Sequence, residues 1–103
     1  MGKQCYDSLI SHGYTKSGYY FKRAYCKQML SLDFADAIAD YRMSIVLNYS
    51  EKNLAFLNIG ALYMTLHSYD SAIYYFDRCM KIDPNNVKAI NNIKMARILK
   101  ESK

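Results

Sequence analysis

The residues best suited to chemistry are three aspartates that lie close together. Asp36 and Asp40 stand about one helical turn apart, and Asp33 lies just before them. A pair of carboxylates at this spacing is one arrangement that general acid–base catalysis uses. Aspartates near the start of a helix also stabilise its N-terminal dipole. We expect this second role here, with the aspartates on a solvated helix face.

No other residues complete a catalytic or metal site around them. His12 and His67 are the two histidines, and they lie far apart in the sequence. The chain shows no nucleophile–base pairing, no glycine-rich phosphate loop and no spacing typical of metal ligands. We therefore expect no catalytic residues, no enzyme activity, no cofactor and no metal ion.

The three cysteines indicate in which cellular compartment the protein is found. Cys5, Cys26 and Cys79 form no Cys-x2-Cys pair, and an odd number without such a pair is typical of a reducing compartment. We expect unpaired thiols, with Cys79 packed in the core. No apolar run approaches the roughly 18 residues that span a membrane, and the opening residues do not resemble a signal peptide. The sequence thus predicts a cytoplasmic protein with no membrane partner.

The composition predicts helices only. The chain of 103 residues has one proline and four glycines, and 51% of its residues are hydrophobic. Few helix breakers and apolar residues at 3.6-residue spacing favour an all-α fold. The length suits one domain that can bury a core.

A set of residues at fixed spacing predicts a pair of packed helices. The set is Phe56-x2-Ile59-Gly60-x2-Tyr63, then Ala72-x3-Phe76, then Pro84. Gly60 and Ala72 are small, which lets the two helices approach closely, while the larger residues fill the space between them. Pro84 ends the second helix because the residue before a proline avoids the helical conformation. This pattern resembles the tetratricopeptide repeat.

The resemblance implies a right-handed superhelical stack of antiparallel helix pairs, an α-solenoid. A degenerate copy, Phe34-x2-Ala37-x3-Tyr41, lies 35 residues before the corresponding residues of the clear repeat. Residues 87–99 begin like a third repeat. We predict about 2.5 repeats: repeat one at 18–52, repeat two at 53–86 and a capping helix with a polar outer face at 87–103. Residues 1–17 are predicted to form a tail or a short capping helix.

The basic residues gather on the helices that the resemblance places along the concave groove. The first helix of repeat one carries Lys22, Arg23 and Lys27 and no acid. The terminal helix carries Lys88, Lys94, Arg97 and Lys100 before its first acid, Glu101. A groove lined by cations without carboxylates attracts a negatively charged ligand.

Part of this groove is similar to the carboxylate-clamp repeats of chaperone adaptors, which bind the acidic C-terminal tails of heat-shock chaperones. Lys22, Asn58 and Lys88 match three of the five clamp positions, whereas Cys26 replaces an asparagine and Asn92 replaces an arginine. Each lost charge-assisted hydrogen bond is worth about 1.5–3 kcal/mol. The resemblance therefore implies a weak site.

These observations predict a protein–protein interaction module or adaptor, co-chaperone-like in kind, that binds an acidic or C-terminal peptide segment. The predicted groove residues are Lys22, Cys26, Asn58, Lys88, Asn91 and Asn92, above an apolar floor of Leu57, Met64 and Met95. The alternative is a self-associating scaffold or assembly subunit, a possible homo-oligomer, because arrays of this family need about three repeats for stability. Nucleic acid is disfavoured as a partner despite the net charge of +5, because the cations are spread over several helices.

Overall fold

The structure, a computed structural model, describes residues 16–30 and 33–102, which form five helices and no strand. The helices are Lys16–Met29 (α1), Phe34–Val46 (α2), Lys52–Thr65 (α3), Tyr69–Ile82 (α4) and Val87–Glu101 (α5). The first two belong to a compact unit that ends at Ser50, and the others to a second unit that begins at Glu51. The all-α prediction is confirmed. The prediction of a tail or short capping helix at 1–17 falls almost entirely outside the described residues, and Lys16 and Ser17 belong to α1.

In the first unit, α1 packs on α2 through aromatic rings. Phe21 meets Tyr41 edge to face at 5.3 Å between ring centroids and stacks on Tyr49 at 4.5 Å. Ala24 and Ala37 are fully buried. The position that corresponds to Gly60 of the clear repeat holds Tyr25. The two alanines are therefore the small residues that let α1 and α2 approach.

In the second unit, α3 packs on α4 around a buried aromatic ring. Gly60 lies against Phe76, and a Cβ atom at Gly60 would come within 2.6 Å of Phe76 Cε1. Ile59, Ala72 and Phe76 are completely buried. α5 then covers α4, so this unit has a continuous core from α3 to α5.

Side-chain caps start two of the helices. The Asp33 carboxylate accepts from the Asp36 N–H at 3.2 Å at the start of α2. The Asn86 side chain accepts from the Ala89 N–H at 2.9 Å at the start of α5. Both bonds satisfy amides that have no partner within their helix. Pro84 lies between α4 and α5, where the sequence predicts a break.

Two helices end in a turn whose left-handed residue is not glycine. Asn48 follows α2 with φ of 65°, and His67 follows α3 with φ of 60°. After α2, the Tyr49 N–H donates to the Ser44 carbonyl at 2.9 Å, and the same six-to-one bond after α3 measures 2.8 Å. Each turn is a Schellman motif, in which main-chain bonds satisfy the last carbonyls of the helix.

Candidate peptide-binding groove

Three of the six residues predicted for the groove lie on the terminal helix, α5. Ala89, Ile93 and Ala96 are buried against the second unit. Because residues three or four positions apart share a helix face, the opposite face collects a different set. That face carries Lys88, Asn91, Met95 and Ile98, with the half-buried Asn92 at its edge.

Asn58 lies on the least buried stripe of α3. Leu54, Asn58 and Ala61 are half-buried at helical spacing, whereas most of the rest of the helix is buried. α3 contacts α5 as well as α4. Asn58 and the predicted residues of α5 thus belong to the same compact unit. Leu57, predicted to form part of an apolar floor, is only 8% exposed and belongs to the core instead.

The charged side chains of α5 are all basic before Glu101. Lys88, Lys94 and Arg97 are exposed, and none of the three forms an ion pair with a residue that the structure describes. Lys100, further along, pairs with Asp70 at the start of α4. The surface of α5 is therefore basic over most of its length.

Lys22 and Cys26 lie one turn apart on α1, and both are half-buried. They belong to the first unit, whereas Asn58, Lys88 and their neighbours belong to the second. Lys22 forms no ion pair within the described part of the chain. The convergence of these residues on one groove stays a prediction.

The other two cations of α1 are committed to α2. Arg23 forms two hydrogen bonds with the Asp40 carboxylate, from Nε at 2.9 Å and from Nη2 at 2.7 Å. Its guanidinium also lies 5.4 Å from the ring centroid of Tyr19 and 5.1 Å from that of Tyr20, within the range of cation–π contact. A forked pair of this kind fixes both side chains.

Lys27 extends this pair into a network. Its ammonium lies 2.6 Å from Asp36 and 2.8 Å from Asp40. Burial alone raises the pKa of Asp40, but the hydrogen bonds from Arg23 and Lys27 outweigh it, and the pKa is lowered. For Lys27, burial lowers the pKa, and the bonds to the two aspartates raise it above its ordinary value.

Two expectations about charge are therefore wrong. Asp40 does not lie on a solvated face, because its side chain is 7% exposed and points to α1. Arg23 and Lys27 are not available to a ligand in the groove, because their charges are compensated by Asp40 and Asp36. The spacing of the residues indicates that Asp40 is buried. Asp40 lies next to Tyr41 and three residues after Ala37, and both of these residues were predicted to pack between the helices.

The expectation of unpaired cysteines is wrong at Cys26, which is disulfide-bonded. An odd count shows that at least one thiol is left over, not that none pairs. The cytoplasmic location predicted from the sequence loses this support. Cys79 is a free, completely buried thiol, and burial raises its pKa.

A small cavity lies at the start of α4, away from the exposed face of α5 described above. Its volume is about 280 Å³, and its lining consists of His67, Ser68, Tyr69, Asp70, Ser71 and Lys100. The His67 ring nitrogen Nδ1 lies 2.8 Å from the Tyr69 hydroxyl. Asp70 and Lys100, which also line the cavity, form an ion pair.

Two negative findings apply to residues 16–30 and 33–102. None of their helices has the length and hydropathy that crossing a bilayer requires. No cluster of three or more histidine, cysteine or acidic side chains among them could hold a metal ion.

Comparison with known proteins identifies the repeat. The tetratricopeptide repeat family matches residues 54–86. Among solved structures, the crystal structure of the MamA protein superposes with a TM-score of 0.81 at 22% identity. The match covers 97% of this chain and 55% of that one, so the chain spans about half the length of that structure. No curated protein matches the chain.

The matched segment contains every residue of the spaced pattern that runs from Phe56 to Pro84. Within it, α3 and α4 form the two packed helices that the pattern requires, with Gly60 against Phe76. Residues 54–86 are therefore a tetratricopeptide repeat, in an all-α domain of the tetratricopeptide-repeat type.

Proposed function

We propose that this chain is a non-catalytic interaction module, an adaptor of co-chaperone-like kind, that binds an acidic peptide segment of another protein. The supporting observation is the exposed face of α5. There Lys88 lies beside two amides, Asn91 and Asn92, on a helix without an acid before Glu101. Ammonium and amide groups together suit a carboxylate.

The proposal assigns a role to each predicted residue. Lys22 and Lys88 provide charge, and the amide of Asn58 binds the main chain of the peptide. Asn91 and Asn92 provide further donors, and the exposed Met95 offers an adaptable apolar contact. Cys26 contributes only shape, because its sulfur is in a disulfide.

We expect this binding to be weak. A carboxylate clamp would have an asparagine at Cys26 and an arginine at Asn92, and each missing charge-assisted bond costs about 1.5–3 kcal/mol. The dissociation constant should lie near or above about 1 μM. Because the charges on α5 are exposed, added salt should weaken the complex.

A titration with acidic C-terminal peptides tests the proposal. Each peptide is prepared with a free and with an amidated C-terminus, and binding is measured by calorimetry. The Lys22→Ala, Lys88→Ala double variant should bind the free-ended peptide at least about tenfold more weakly, a loss of about 1.4 kcal/mol. The control is Lys52→Ala, Lys81→Ala, which removes the same charge from α3 and α4.

The outcomes separate three possibilities. A preference for the free end that the double variant abolishes supports a terminal-carboxylate site. Equal binding of both ends rejects that site and leaves a general peptide groove. No binding to any acidic peptide rejects the proposal.

A second candidate function, self-association, is favoured by the surface of α2. Met43 is 42% exposed and Val46 is 77% exposed, and they share a face with the exposed Ala35 and Ala39. An apolar strip of this kind suits contact with a second copy. Sedimentation over a range of concentrations tests it, and a mass that stays monomeric throughout rejects it.

A further inference from the structure

The terminal helix exposes apolar side chains where a capping helix is expected to be polar. Val87 is 66% exposed, Met95 48%, Ile98 59% and Leu99 37%. Val87, Met95 and Ile98 lie on the side of α5 opposite the buried Ala89, Ile93 and Ala96, and Leu99 lies at the edge of that side. The four side chains form a strip along most of the helix, the α5 strip. The expectation of a polar outer face is met only beside this strip, at Lys94 and Arg97.

One border of the α5 strip is basic, and so is its N-terminal end. Lys94 lies one turn before Ile98 at that border, and Lys88 lies two turns before Met95, in line with it. Arg97 follows Lys94 by three residues and continues the same border. None of these three cations has an acidic partner among the described residues. A partner that covers the strip must therefore bring negative charge to its edges.

The middle of the strip is polar. Asn91 is exposed between Val87 and Met95, one turn from each. An amide that is covered by an apolar surface must find a hydrogen-bond partner, or burial costs about 1–3 kcal/mol. Acyl chains of a lipid surface cannot supply that partner, whereas a polar side chain on a protein can.

The geometry points to a docking site for one amphipathic helix of another protein, with acidic residues along the border of its apolar face and a polar residue opposite Asn91. The α5 strip is straight and follows a helix of 15 residues, about 22 Å long, which matches four turns of a partner helix. This site rests on the proposed function in part, because it shares Lys88, Asn91 and Met95 with the proposed peptide site, but it names a different ligand. It requires neither Lys22 nor Asn58, and it requires no terminal carboxylate.

The experiment uses designed peptides of about 18 residues, the length of five helical turns. Both ends are capped, so that a terminal carboxylate contributes nothing. The test peptide carries leucines along one helical face with a central glutamine, glutamates at the borders of that face, and alanines elsewhere. One control peptide has the same composition in scrambled order, and another has lysine in place of glutamate.

We expect saturable binding of the test peptide to the full chain, with a gain in helical circular dichroism. The Ile98→Ser variant should weaken binding at least about fivefold. Its matched control is Ile82→Ser, because Ile82 is the same residue type and is 52% exposed on α4. Circular dichroism of each variant alone verifies that it is folded.

A charge exchange provides the second arm. The Lys94→Glu, Arg97→Glu variant should bind the glutamate peptide at least about fivefold more weakly and should bind the lysine peptide more tightly than the wild type does. Equal binding of the scrambled peptide, or equal effects of Ile98→Ser and Ile82→Ser, would overturn the proposal. Tighter binding to vesicles of phosphatidylserine and phosphatidylcholine than to the peptide would also overturn it, in favour of a lipid surface.

Discussion

Gly60 of α3 lies directly against the ring of Phe76 of α4, where a methyl group would approach three ring carbons within 2.9 Å. Phe76 is completely buried, so a shift of its ring must be accommodated within the core. The helix pair of the clear repeat therefore depends on a missing side chain at this point. The contact explains why the repeat pattern needs a glycine here.

Gly60→Ala should destabilise the protein. Alanine in a helix interior gains about 0.5–1 kcal/mol over glycine, but overpacking a core costs about 1–3 kcal/mol. We expect a net loss of about 1 kcal/mol, measured by urea unfolding. The control is Lys94→Ala. Lys94 lies 34 residues after Gly60, one repeat period further along, but it is exposed on α5. A higher unfolding midpoint for Gly60→Ala would mean that the ring yields.

Ala72→Leu should also destabilise the protein, by about 1–3 kcal/mol, because Ala72 is completely buried in the same helix pair. Ala39→Leu is the control, since Ala39 is exposed on α2 and its replacement adds the same atoms on the surface. Urea midpoints compare the two variants. Equal midpoints would contradict the close packing of α4 described above.

The Arg23–Asp40 pair should contribute to the stability of the first unit. Asp40→Asn removes the charge that two buried or half-buried cations share, and we expect a loss of about 1–3 kcal/mol. A double-mutant cycle with Arg23→Gln should give a coupling energy of about 0.5–3 kcal/mol. A coupling energy near zero would show that the two side chains act independently.

Stability should fall in acid because of the same carboxylate. The pKa of Asp40 is lowered in the folded protein, so its contribution is complete above the unfolded value of about 4 and is lost as the pH falls through the lower folded value. The loss of stability below about pH 4 should therefore be less steep in Asp40→Asn than in the wild type. Asp77→Asn, which removes a carboxylate at an exposed position of α4, is the matched control.

Cys79 should react slowly with alkylating reagents in the folded protein. Its thiol is completely buried, and burial raises its pKa, which lowers the fraction of reactive thiolate. Mass spectrometry of the peptide that contains Cys79 should show modification only after unfolding in urea. Rapid modification under native conditions would indicate that α4 opens locally.

The helices could be predicted from the sequence because their boundaries depend on local chemistry. Pro84 and the Asn86 cap separate α4 from α5, and the fixed spacing from Phe56 to Phe76 predicts a packed pair. The proline and the cap act within one or two turns of the chain, and the fixed spacing spans one helix pair. They do not depend on which surface a neighbouring helix presents.

The polar contacts could not be predicted in the same way. A charge count shows that α1 is basic, but whether Arg23 faces solvent or Asp40 depends on how α1 rotates against α2. For α5, helical spacing places Val87 and Ile98 on one face. We expected that face to be polar because a capping helix usually has a polar outer face, whereas both residues are exposed. The groove prediction combined a charge count with the resemblance to a carboxylate clamp, and two of the cations in that count, Arg23 and Lys27, proved to be compensated.

The two glycine-free Schellman turns have a consequence for how this domain tolerates sequence drift. Their hydrogen bonds join main-chain atoms, so the turns at Asn48 and His67 do not require particular side chains. They require only a residue that accepts a left-handed backbone, and glycine, asparagine and aspartate do so at lowest cost. Glycine, asparagine or aspartate can therefore replace either residue without altering the helices on either side, whereas a β-branched residue would strain the turn, so the backbone conformation and not side-chain contact limits variation here.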